Sequence, residues 1–272
     1  MPELPEIETI RLSLDPFVVG RRIERVRVRR RDLRSPLSPD FEVTLSGRRI
    51  TGTSRRAKYL LLALDDERQW LVHLGMSGRF LRLAGDDASI GPHEHVVVDL
   101  EDGSRLAFRD PRRFGLMAVV DPRACRLLAE IGPEPFGDPE FSGAYLNSLR
   151  ARTSRVVKDV LMDQRVVAGL GNIYVNEILF LAGIRPTRRM PRLTRLECDT
   201  LVGATRTILT EAIEHRGSSI SDFLDGIGRP GSYQWRRRVY DRAGEACPSC
   251  SHSIRSTVIG QRSSFFCPRC QR

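Results

Sequence analysis

Lysine is almost missing from this sequence. Only Lys58 and Lys158 survive among 44 basic residues, and arginine supplies the other 42. Arginine carries a planar guanidinium fork, whereas a lysine ammonium is a compact point charge on a flexible stem. A position that accepts any cation can drift to arginine; one that needs a point charge cannot. The two survivors are therefore either chance leftovers or sites that require an ammonium. Long apolar runs are missing too. None approaches the ~20 residues of a membrane span, so no membrane helix is expected. The opening residues MPELPEIE are acidic and hold no apolar signal core, so a cytoplasmic location is expected. No internal repeat and no low-complexity tract occurs, which sets aside repeat architectures.

What is present is basic and globular. The 272 residues have room for two domains, and 40% hydrophobic with 29% charged residues is the composition of a packed fold. A net charge of +10 favours a polyanionic partner, nucleic acid first and an anionic membrane surface second. The run RRIERVRVRRRDLR (21–34) alternates arginine with valine and reads as a half-buried strand with a solvated face.

The start reads as a short helix, with Pro5 in its first turn, Glu6 and Glu8 near its N-terminus, and Ile7, Ile10 and Leu14 on one face. From Ile23 to about Val120 the chain reads as strands: RRIERVRVR, FEVTLSGRRI, YLLLAL, WLVHLGM, RFLRL, HVVVDL, RLAF and LMAVV, divided by Gly, Asp and Pro. That spacing predicts a β-sandwich or barrel. IGPEPFGDPEF reads as a linker, and the period beyond it is helical up to residue 215. The expected organisation is α+β: an N-terminal domain over 1–130, a linker over 131–142, a helical domain with a long loop over 143–235, and a cysteine-rich end over 236–272.

Cys247, Cys250, Cys267 and Cys270 form two CxxC knuckles, a spacing that suits one tetrahedral Zn²⁺ held by four thiolates. Four thiolates fill every coordination position, so the metal would be structural. The stretch between the knuckles alternates like a hairpin and carries Arg262 near its tip. Cys125 and Cys198 stand alone and read as buried thiols. The turn Gly-Leu-Gly-Asn, with Asn172 as its N-cap, opens a helix, either as an anion site or as an ordinary helix start. Pro2 follows the initiator methionine. Removal of Met1 would expose a secondary amine with a pKa near ~8, and its attack on a sugar C1′ would give a cationic iminium. Glu3 beside it can move protons. From these residues alone, Pro2 and Pro5 read first as stiffeners of the terminus, ahead of any nucleophile.

Taken in order, MPELPEIET, AKYL, HLGMSGRF, DPRRFG, LMDQRVVAGLGNIYVNE, VYDRAGEACPSC and QRSSFFCPRCQ resemble bacterial formamidopyrimidine-DNA glycosylase over the whole chain. The resemblance implies an N-terminal β-sandwich with flanking helices, a helix–two-turn–helix module and a Cys₄ zinc hairpin. It also implies a monomer acting on damaged double-stranded DNA. It assigns Pro2 as nucleophile, Glu3 as acid/base, Glu6 as an acidic group near the lesion, and Lys58 as an active-site cation. Lys158 and Asn172 match residues that hold backbone phosphate, with Tyr174 and Glu177 beside them, and Arg262 matches the zinc-finger phosphate contact. Both lysines thus fall on functional positions.

Met76, Arg112 and Phe114 match the residues this family inserts into the duplex; without the resemblance, Met76 and Phe114 would read as core. His73 reads as a phosphate contact or as a satisfied strand histidine. Leu4 separates the chain from the related endonuclease VIII group. The loop over 217–233 lies where the family closes over an extruded base, and Trp235 and Arg236 to Arg238 follow it.

Overall fold

The computed structural model describes residues 1–83, 91–219 and 223–272. They form two compact units, Met1–Ala129 with His215–Gln234, and Glu130–Glu214 with Trp235–Arg272. The long loop, grouped with the helical part in the sequence reading, belongs to the first unit. Its reason is a set of contacts far apart in sequence: Gly226 N donates to Ser13 Oγ at 2.9 Å and Arg82 N to the Gly226 carbonyl at 2.7 Å. The part of the expected lesion-capping loop at 220–222 lies outside the described residues.

The first unit opens with α1 (Leu4–Val18), which has proline in its first turn and runs well past the first ten residues. Two antiparallel sheets follow. One orders β1 (Ile23–Val28), β6 (Glu94–Leu100), β7 (Arg105–Arg109) and β5 (Arg79–Leu83); the other orders β2 (Ile50–Arg56), β3 (Tyr59–Leu64), β4 (Gln69–His73) and β8 (Leu116–Val120). Val26, Val98, Phe108 and Phe80 of one sheet share a core with Leu62, Trp70, Val72 and Met117 of the other. Trp70 and Phe80 meet edge-on across it, with centroids 5.3 Å apart. The expected sandwich is therefore present. On β1, Arg27 pairs with Asp99 at 2.8 Å while Val26 is buried, the half-buried strand that alternation predicted.

One expected strand is a helix. FEVTL folds as α2 (Phe41–Leu45), burying Phe41 and Leu45 and leaving Val43 81% exposed. The short α3 (Arg126–Ala129) closes this stretch.

In the second unit lie α4 (Gly143–Leu149), α5 (Val157–Met162), α6 (Asn172–Leu181) and α7 (Arg195–Glu214). The segment read as a linker is packed here. Arg206 of α7 donates to the Pro135 and Phe141 carbonyls at 3.1 and 3.0 Å, and Phe141 is fully buried. The chain ends in a hairpin of β9 (Arg255–Ile259) and β10 (Arg262–Phe266). Gly260 and Gln261 both take positive φ in its turn, as a tight two-residue hairpin requires. Among the described residues, no helix is long and apolar enough to cross a membrane.

Candidate functional site

Four clusters and a group of cysteines gather the residues singled out by the sequence. The first is the head of α1. Pro2 is half-buried, and Glu3 and Glu6 are 3% and 2% exposed. The two glutamates form a reciprocal capping box, in which Glu6 Oε2 accepts from Glu3 N at 2.8 Å. Glu6 Oε1 accepts from Ser218 N at 2.7 Å, so the same carboxylate fixes the start of the long loop. Helix start and loop are thereby held beside Pro2.

The second cluster is Lys58 with His73. Lys58 lies 5% exposed in the tight turn joining β2 to β3, where Ala57 adopts φ +51°. The His73 ring lies against Tyr59, tilted by 50° with centroids 4.9 Å apart, and its Nδ1 accepts from Gly75 N at 3.1 Å, which leaves the ring proton on Nε2. Burial, then the charges of Lys58 and Arg34, pull the His73 pKa down to about 4. The imidazole is therefore a neutral donor at pH 7.

That shift has a sign for stability. The unfolded chain takes up a proton near pH 6.5 and the folded chain only near pH 4, so the contribution is complete above 6.5 and is lost as pH falls towards 4. By pH 5 the loss is roughly 2 kcal/mol. His73→Gln should remove it. Denaturant unfolding of both proteins at pH 7 and pH 5 should show the variant losing less stability than the parent; equal losses would contradict the assignment.

The third cluster is a pair of loops. Met76 follows β4, and Arg112 and Phe114 lie between β7 and β8. Met76 is 48% and Phe114 43% exposed, and the Arg112 guanidinium sits 4.8 Å from the Phe114 ring centroid. The structure thus puts two large apolar side chains in solvent, where position beside strands alone would place them in the core. Gly75 takes φ +62°, and a Cβ there would lie 2.3 Å from the Phe114 carbonyl oxygen, so the two loops touch backbone to backbone.

The fourth cluster joins α5, α6 and the terminal hairpin. Lys158 is fully buried, and its ammonium donates to the Ser263 carbonyl at 3.0 Å and to Ser264 Oγ at 2.6 Å. Asn172 Nδ2 donates to the same Ser263 carbonyl at 3.1 Å. The N-cap of α6 is Gly171, and Asn172 is the first helical residue, one place later than expected. Asn176 accepts from Phe265 N at 2.7 Å, a further clamp on β10 that the sequence reading passed over although it stands in NIYVNE.

Exposed Arg262 opens β10 beside these clamps. Tyr174 is fully buried, so its ring is core. The Glu177 carboxylate accepts from the backbone N–H of Arg238, Val239 and Tyr240 at 2.7 to 2.9 Å, and burial raises its pKa against those bonds. The arginines after Trp235 are likewise spent internally, Arg236 and Arg238 on Glu211 and Arg237 over the Tyr240 ring.

The four sulfurs of Cys247, Cys250, Cys267 and Cys270 lie within 4.8 Å of one another, two pairs at 3.8 and 3.5 Å. A Zn–S bond of about 2.3 Å in a tetrahedron places neighbouring sulfurs about 3.8 Å apart. Burial and the other three sulfurs push Cys270 up to about 12, so four thiolates coexist only around a cation. The residues fit one structural zinc ion.

Comparison with known proteins agrees with this geometry. The profile of the formamidopyrimidine-DNA glycosylase N-terminal domain matches residues 1–117, its H2TH domain matches 131–224, and the zinc finger found in FPG and IleRS matches 244–272. A relative named formamidopyrimidine-DNA glycosylase from Stutzerimonas stutzeri is 47% identical over 273 residues, covering 100% of both chains. Among solved structures, the MutM (Fpg) protein of Thermus thermophilus is 38% identical with a TM-score of 0.86, over 99% of this chain and 98% of that one. Lactococcus lactis Fpg in complex with DNA containing an abasic site is 32% identical with a TM-score of 0.90, over 99% of each chain.

Proposed function

Because the chain belongs to the formamidopyrimidine-DNA glycosylase family, we propose that it excises oxidised purines from double-stranded DNA and then cleaves the abasic site, with Pro2 as nucleophile. The observation that carries this reading is the head of α1, where Pro2 directly precedes two buried carboxylates. Once Met1 is removed, the Pro2 nitrogen is a secondary amine with a lone pair. Its position before the first turn of α1 places it at the positive pole of the helix, which disfavours the ammonium form.

Attack on C1′ forms an N–C bond as the glycosidic bond breaks, and the departing base takes up a proton. Glu3, the residue next to Pro2, moves that proton in this reading. Loss of the amine proton and opening of the C1′–O4′ bond, with a proton delivered to O4′, then give an iminium that withdraws electrons from C1′. Loss of a C2′ proton then expels the 3′ phosphate, and a second elimination expels the 5′ phosphate, leaving a one-nucleotide gap with phosphate ends. Lys58 and the neutral His73 act as donors at the damaged strand. Zinc holds the hairpin that presents Arg262 and takes no part in the chemistry.

Extrusion precedes all of this, because a base cannot be attacked inside the stack. Met76 and Phe114 serve as the wedge, and Arg112 satisfies the base left without a partner. Asn172 and Arg262 hold backbone phosphate, with the helix dipole of α6 adding to them. Lys158 acts one layer beneath, by fixing Ser263 and Ser264.

Single-turnover assays on duplexes carrying 8-oxoguanine, a formamidopyrimidine or an oxidised pyrimidine test the reading. Both purine lesions should be released much faster than the pyrimidine, and every cut should leave phosphate at each end. Preferred release of the pyrimidine would overturn the assigned substrate class.

A further inference from the structure

Asp110 is fully buried, yet it stands on the same loop as the exposed Arg112 and Phe114. Burying a carboxylate costs several kcal/mol unless it is well hydrogen-bonded, and among the described residues no cation pairs with it. Its two oxygens serve two different loops instead. Oδ1 accepts from Ser77 Oγ at 2.7 Å, one residue after Met76. Oδ2 accepts from Gly115 N at 2.7 Å, one residue after Phe114. The Asp110 backbone is fixed as well: its carbonyl accepts from His95 Nε2 at 2.8 Å, and its N–H donates to the His93 carbonyl at 3.0 Å. Gly115 packs so closely that a Cβ there would lie 2.4 Å from the Phe108 ring.

We infer that Asp110 is a positioning residue that ties the β4–β5 turn to the β7–β8 loop, so that Met76 and Phe114 enter the duplex as one wedge. The inference rests on the proposed role of those two side chains. Each loop is a short connection with an exposed apolar tip, and the carboxylate adds a polar tie to the backbone contact of Gly75 with Phe114. The carboxylate bridge removes the relative motion before DNA is met, so the ordering need not be supplied at binding.

Ser77→Ala cuts the bridge at one end and leaves the Gly115 bond in place, so the fold should survive. It should slow single-turnover excision of 8-oxoguanine about tenfold, a modest misplacement effect, with duplex affinity and thermal unfolding little changed. Cleavage of a preformed abasic site should also change little, because no base remains to be displaced. Asp110→Asn should keep most of the rate, since its amide can accept from Gly115 N and donate to Ser77 Oγ.

The decisive arm is a cycle with Phe114→Ala. If the bridge acts through the wedge, adding Ser77→Ala to Phe114→Ala should cost nothing further. An unchanged rate for Phe114→Ala alone would refute the wedge reading itself. A slowed Phe114→Ala with a normal Ser77→Ala, or losses that simply add, would overturn the role of Asp110.

Discussion

Lys58→Arg is expected to lower single-turnover base excision about 100-fold, the scale of a small misplacement at a reacting centre, while non-specific duplex affinity barely moves. The side chain is 5% exposed in a two-residue turn whose first residue, Ala57, already occupies the left-handed region. A guanidinium fork has no solvent side into which to swing. Charge is conserved, so long-range attraction survives, and one cation among 44 basic residues accounts for at most about one unit of salt slope. Excision and duplex binding at two salt concentrations separate the two effects. A normal excision rate would mean that lysine persists here by chance.

Lys158 gives a different expectation from the one its resemblance suggests. A surface phosphate anchor would tolerate arginine, which binds phosphate well. This ammonium is fully buried against a carbonyl and a hydroxyl of β10. Lys158→Arg should therefore disturb the hairpin and weaken binding to all duplexes, while the rate for whatever DNA is bound changes less.

Cys250→Ser should lose zinc and DNA binding together. Structural zinc in small fingers contributes about 10–16 kcal/mol of apparent binding free energy, and a lone two-stranded hairpin is marginal in water. β9 and β10 form such a hairpin, with a small core of Val239, Ile254 and Phe265 around the cysteines. Without the metal, Arg262 has no fixed support. Metal analysis should return one zinc per parent chain and much less for the variant, with Cys125→Ser as the unchanged control, because Cys125 lies in a separate apolar cluster with Leu61 and Leu71. Full zinc content in the Cys250 variant would sink the four-thiolate site.

Periodicity made most of the sandwich legible, and cysteine spacing made the metal site legible, because both are local signals. The misreadings share a cause in contacts that sequence order hides. FEVTL satisfies the two-residue period of a strand and the four-residue spacing of Phe41 and Leu45 in a helix; only the exposure of Val43 decides. Proline and glycine in 131–141 mark irregular backbone, but not that Arg206 would bind it from α7. The burial of Lys158 depends on partners 105 and 106 residues away. The exposure of Met76 and Phe114 follows from close backbone packing of their loops, while Asp110, in plain view within DPRRFG, showed no role until its two hydrogen bonds placed it between them.

The central claim is that the amine of Pro2 forms the covalent intermediate, and borohydride trapping on lesion-containing duplex tests it most directly. Two preparations of known intact mass are compared, one with Met1 removed and one with Met1 retained. The processed protein should be trapped as a covalent adduct, and Pro2→Gly should weaken that trapping. The Met1-retaining form should give no adduct, because its Pro2 nitrogen is an amide without a nucleophilic lone pair. Equal trapping of both preparations would move the nucleophile to another residue and contradict the account.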